Sequence, residues 1–175
     1  MKEWIKDIAI TVIIALVVVQ FIKPTIVKES SMEPNFYEND YLFVSKQAYR
    51  FSEPQRGDVV VFHSSLVQEN GDEKLLIKRI VGLPGEKIHI LNEKVYINGE
   101  VLDESYTMDG TTYGLINGMI IPDDQYFCMG DNRDVSIDSR DSSVGCVDKD
   151  LFVGKVVFRL FPFSKFGTLD NPYEE

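Results

Sequence analysis

An apolar run from Ile8 to Ile22, interrupted only by Thr11 and Gln20 and closed by Lys23-Pro24, limits most sharply what this chain can become. With Trp4 and Ile5 it approaches the roughly 20 residues needed to cross a hydrocarbon core as a helix. A cleaved secretory leader is the competing explanation. Cleavage needs small residues three and one positions before the cut, and the stretch from Phe21 to Lys28 offers none. Residues 1–23 are therefore expected to form an uncleaved N-terminal transmembrane helix. Pro24 should end it, because the residue before a proline is pushed toward extended geometry. Lys2 and Lys6 before the span balance Lys23 and Lys28 after it, so the positive-inside rule leaves its orientation open.

Residues 24–175 show strand signals and no long helical period. Tyr41-Leu42-Phe43-Val44 and Val59-Val60-Val61-Phe62 are short apolar runs bounded by turn residues, as expected of strands buried on both faces. Lys87 to Ile97 predicts two strands around a turn at Asn92-Glu93, and Asn98-Gly99 marks a second, primed reversal. Val156 to Leu160 predicts a late strand. Val67 to Glu73 predicts a hairpin tip, while Tyr106 to Gly118, with three glycines, predicts a longer excursion able to move. Without repeats or a low-complexity linker, the two halves are expected to share one continuous β structure. The fold class that follows is mainly β behind a helical anchor.

The 175 residues carry a formal net charge of −10. That sign argues against a nucleic-acid partner, because phosphate binding needs concentrated Lys and Arg. Cys128, Cys146, His63 and His89 lack the spacing of a metal site, so neither metal nor cofactor is expected. Both cysteines lie in apolar stretches, compatible with buried thiols or, outside the cytoplasm, with a disulfide.

Three segments can carry chemistry. Leu75 to Val81 predicts a strand, whose alternation puts Lys78 on one face with Leu76 and Ile80 and Arg79 on the other. An amine held among aliphatic side chains loses hydration, which favours its neutral form. Acting as a base near neutral pH requires a fall of roughly 2 to 3 units, about 3 to 4 kcal/mol. The bland alternative is an ammonium that snorkels into water. Ser31 lies in Ser31-Met32-Glu33-Pro34, where Pro34 holds a defined backbone so that the Ser31 N–H can face an oxyanion. Neither histidine sits in an acid-flanked turn suited to a Ser/His/Asp triad. The third segment, Gly130 to Asp141, crowds Asp131, Asn132, Arg133, Asp134, Ser136, Asp138, Ser139, Arg140 and Asp141 together. It is either a solvated turn or a paired ionic network that shapes a site.

At these residues the sequence resembles the bacterial type I signal peptidases of the small, single-anchor form. The resemblance runs through the anchor, Ser31 to Pro34, Arg56 to Phe62, Lys78 to Glu86, Gly130 to Arg140 and Val153 to Val156. It implies two antiparallel β-sheet subdomains outside the cell membrane and a Ser/Lys dyad endopeptidase that removes signal peptides from exported preproteins. Ser31 matches the nucleophile and Lys78 the general base. Ser136 matches a hydroxyl that positions the lysine, and Asp138 with Arg140 a structural ion pair. Asp131 with Arg79 is expected to form a second pair, and Met32 and Pro34 to contact substrate. Phe161-Pro162-Phe163 and Phe166 either rest on membrane lipid or pack the end of the β core. Two departures stand out: Glu29 occupies a position usually held by Gly or Ser, leaving the second oxyanion donor unassigned, and Asn35 stands where Thr is usual. The competing class is a specialised or non-catalytic relative that assists assembly of surface or pilus proteins.

Overall fold

A computed structural model describes residues 2–68 and 70–174. Helix α1 spans Lys2–Phe21 and leads directly into strand β1, Ile22–Ile26. The helix stops before Pro24. That proline sits inside β1 opposite Phe43, on a strand paired on one side only, the kind of strand to which prolines in sheets are confined. No helix among the described residues is long and apolar enough to cross a membrane. The centre of the expected span, residues 13–20, lies outside the residues whose side chains are described.

The remaining strands are β2 (Tyr41–Ser45), β3 (Val59–Val67), β4 (Glu73–Gly82), β5 (Lys87–Leu91), β6 (Lys94–Ile97), β7 (Glu100–Val101), β8 (Ile116–Ile120), β9 (Gln125–Met129), β10 (Val147–Asp148), β11 (Phe152–Phe161) and β12 (Gly167–Thr168). They form two antiparallel sheets rather than one. The larger runs β1-β2-β11-β3-β4-β9-β10, with β12 on β11, and the smaller runs β7-β6-β5-β8. The turn residues act as their chemistry predicts: Asn92, Glu93, Asn98 and Gly99 all take positive φ, the conformation that closes primed hairpins. The tip between β3 and β4 falls where expected, with Glu69 outside the described residues.

Three apolar clusters hold these layers. One joins Val81, Phe127 and Met129 of the larger sheet to Ile88, Ile90, Val95 and Ile97 of the smaller. Each such side chain contributes about 1.5–3 kcal/mol on burial, so this cluster fixes the two sheets against each other. The other two lie around Leu42, Val44 and Val61 and around Val60, Phe62 and Ile80. Val59 to Phe62 are all buried, because β3 runs between β11 and β4 with apolar packing on both faces. The excursion after β7 is packed rather than detached: Tyr106 and Thr112 are buried, and Asn35 donates to the Tyr106 carbonyl. Cys128 is buried and Cys146 half-buried, and both are free thiols.

Candidate active site

The segment after β1 turns through Ser30–Met32, a single 3-10 turn preceded by Glu29 and followed by Glu33, both extended. Met32 is almost wholly buried with Val27 and Phe36, which anchors the turn and leaves Ser31 only 8% exposed. Lys78 sits mid-way along β4, opposite Val60 of β3. Its Nζ donates to Ser31 Oγ at 2.7 Å. At 1% exposure this amine has lost its water, and burial pushes it down from 10.5 to about 8 despite Asp138, Glu29 and Asp131, which pull it up. A lysine of this kind can take up and release a proton near neutral pH.

The acidic loop is an ordered ionic network. Arg79 binds Asp131 through Nε at 2.8 Å and Nη2 at 2.7 Å, the bidentate geometry that guanidinium favours. Its plane lies over the Tyr106 ring, 4.4 Å from the centroid. Asn35 Nδ2 donates to the same carboxylate at 2.8 Å. Asp138 accepts from Arg140 Nε at 2.8 Å, Arg140 Nη2 at 2.9 Å and the Gly130 N–H at 3.0 Å. Burial opposes its charge, yet Arg140 and the Gly130 N–H hold the carboxyl below its usual range. Asp131 and Asp138 are both fully buried.

Gly130 joins this network to the nucleophile. A Cβ added there would collide with Ser136 Oγ and the Ser31 carbonyl. The Asn132 N–H also donates to that carbonyl, at 3.1 Å. Ser136 thus lies beside the Ser31 turn, and its Oγ is buried without a hydrogen-bond partner among the described residues.

From Ser31 and Lys78 opens a cleft of about 1170 Å³. One wall is β1 with the segment from Val27 to Met32; the other includes Lys74 to Lys78 of β4. Met32 lines it and Pro34 does not. Both walls offer strand edges. β1 pairs only with β2, and β9 pairs with β4 from Arg79 onward. Glu73 to Lys78 therefore have no strand on that side among the described residues.

A protein-family model for signal peptidases, peptidase S26, matches residues 1–161. The chain belongs to this family. It is 35% identical to signal peptidase IB of Staphylococcus aureus strain COL, covering 97% of this chain and 94% of that protein. It is 34% identical to a probable signal peptidase I-2 of Synechocystis sp., covering 97% and 77%. Among solved structures, a signal peptidase I of Enterococcus faecalis is 28% identical, covers 60% of this chain and 97% of its own, and has a TM-score of 0.49. A signal peptidase of this family is a serine hydrolase.

Four groups of the site had no role assigned from sequence: Asn35, Gly130, Lys74 and the Arg133–Glu104 pair. Arg133 donates to Glu104 at 2.6 Å and also to Thr112. Only Gly130, immediately before Asp131, carried a local sign, since a glycine inside a dense polar loop suggests close backbone approach. Among the described residues no group of His, Cys, Asp and Glu is arranged to hold a metal ion.

Proposed function

We propose that this chain cleaves N-terminal signal peptides from exported preproteins as a membrane-anchored endopeptidase that uses a Ser31/Lys78 dyad. The observation that carries this is the 2.7 Å contact between Ser31 Oγ and a 1% exposed Lys78, in a chain of this family.

Neutral Lys78 takes the Ser31 proton while Oγ bonds to the scissile carbonyl carbon. The Ser31 N–H faces the resulting oxyanion. Lys78 then gives its proton to the departing amine as the C–N bond breaks, leaving an acyl-enzyme. Water, deprotonated by the same lysine, releases the acid and restores Ser31. Asp138 stabilises the transient ammonium across a dry interior, and Arg140 keeps Asp138 ionised. Ser136, beside the Ser31 turn, supplies a hydroxyl to that ammonium. Asp131 and Arg79 fix the loop behind the pair.

The substrate adds as an extended strand between the free edges of β1 and β4, where main-chain hydrogen bonds supply affinity independent of side chain. Small residues at the first and third positions before the cut fit the space beside Met32. The anchor is residues 1–23, on the apolar sequence from Ile8 to Ile22, with residues 24–175 outside the cytoplasm. Phe161, Phe163 and Phe166 are exposed at 44%, 79% and 57%. Such a group of rings suits the lipid headgroup layer.

Processing of a purified precursor by the Ser31→Ala and Lys78→Ala variants is the test. Both should fail to cut, and retained cleavage in both removes the dyad. Replacing Phe163 and Phe166 with serine should slow cleavage of a vesicle-embedded precursor but not of a soluble peptide. Equal effects on both would remove the membrane contact.

A further inference from the structure

Among the described residues, two polar side-chain contacts link the Val27–Met32 segment to β4 across the cleft. The first is Ser31 to Lys78. The second is an ion pair between Glu29 and Lys74, whose side chains are half and about one-third exposed. Glu29 precedes the turn that carries Ser31 and makes no capping bond with its side chain, so its carboxylate is committed to the cleft rather than to the backbone. Lys74 is four residues from Lys78 on β4, hence on the same face. Both line the same cavity as Ser31 and Lys78. Both also act on the Lys78 amine, Glu29 raising and Lys74 lowering its affinity for a proton.

Strand rise sets the distance. Four residues of β4 at about 3.3 Å each place Lys74 roughly 13 Å along the cleft from Lys78. An extended peptide laid along β4 therefore meets this bridge about four residues from the bond held at Ser31. A charged substrate side chain there must compete with one member of the pair, leaving the other without its partner.

We propose that the Glu29–Lys74 bridge is a specificity device, disfavouring charge of either sign on the substrate about four residues from the scissile bond, beyond the positions that require small side chains. This rests on the cleft being the peptide site. Removing one member converts exclusion into preference: Glu29→Gln exposes a lysine that favours acidic side chains, and Lys74→Gln exposes a carboxylate that favours basic ones. Exposed pairs are worth up to about 1 kcal/mol, so each preference should be about two- to fivefold.

The test uses the full-length chain in detergent and a peptide set carrying a single Glu, Gln or Lys at each of the first five positions on either side of the bond. Relative kcat/KM is read for the active protein. Relative Kd is read for the same variants in a Ser31→Ala background, so that peptide preference is measured even where no chemistry occurs. The expected result is an acid-over-base ratio that rises in Glu29→Gln, falls in Lys74→Gln, and returns to the parent value in the charge-swapped Glu29→Lys, Lys74→Glu protein. The effect should be confined to about the fourth position on one side. Ratios unchanged in both single variants, or shifted equally at every position, would overturn the bridge's role. Absence of cleavage together with ordered binding preferences would instead leave the bridge standing and remove the proteolytic assignment. A charge-swapped protein that keeps the skew of a single variant would also overturn it.

Discussion

Lys78 meets Ser31 across 47 residues of sequence, its Nζ 2.7 Å from Oγ. The lysine arrives on a strand interior and the serine on a one-turn helix that Met32 pins into the core. Rigid elements on both sides keep the pair in register, as a proton transfer needs.

The pH dependence follows from the direction of the Lys78 shift. Burial lowers its pKa to about 8, so the proposed base is charged and inactive below that value and neutral above it. kcat/KM should rise tenfold per pH unit on the acid side and level off above about pH 8. Lys78→Arg should not rescue, since a guanidinium does not deprotonate in this range. A limb centred near pH 10 would show the amine to be solvated during turnover.

The same shift makes Lys78 a stability liability. Its folded pKa lies below its unfolded one, so between about pH 8 and 10.5 the unfolded chain binds the extra proton. Stability therefore falls as pH drops through that window and stays low beneath it. Lys78→Met should gain on the order of 1–3 kcal/mol at pH 7, and the gain should shrink as pH approaches 10. Urea titrations at the two pH values measure both. An unstable Lys78→Met protein at pH 7 contradicts the buried-amine account.

Asp131→Asn should cost about 3–5 kcal/mol, because it leaves Arg79 buried without its anion. Arg79→Met in that background should recover part of the loss, since both charges are then gone. A thermal scan of the single and double variants closes the cycle. Simple additivity would show that the two side chains are not coupled.

Gly130→Ala places a methyl where Ser136 Oγ and the Ser31 carbonyl already sit. Displacing the Ser31 turn by a fraction of an ångström should lower precursor processing about 10²-fold, more than any fall in Tm would explain. Substitution at Gly71, where space is open but a φ of +87° strains any side chain, should lower Tm and leave processing by the folded protein intact. Comparable losses at both glycines would point to general destabilisation.

Much of the local structure was legible because it depends on neighbours in sequence. Strand alternation put Lys78 among Leu76 and Ile80 and sent Arg79 to the opposite face, where it finds Asp131. Asn98-Gly99 announced its reversal through the one backbone conformation it favours. The helix stops ahead of Pro24 as expected, but the place of Pro24 inside β1 was not legible, because sequence does not show which strand is an edge. Residue patterning alone suggested one continuous β structure for residues 24–175, whereas the family resemblance implied the two antiparallel sheets that are found; the patterning falls short for a similar reason. Whether β5 to β8 join the larger sheet is decided by the side chains that Val81, Phe127 and Met129 leave to be covered, and those contacts are long-range.

Sequence alone determined the residue types and their order: an apolar N-terminal run, a serine before a proline, a lysine in an aliphatic strand and an acidic loop rich in arginine. Those are properties of short windows, governed by propensity, periodicity and backbone sterics. Only the tertiary structure decided that the lysine is dry, that it faces this serine, and that Glu29 and Lys74 cross the cleft beside them. Desolvation and ion pairing depend on which distant segments exclude water from a point, and no window of sequence contains that information.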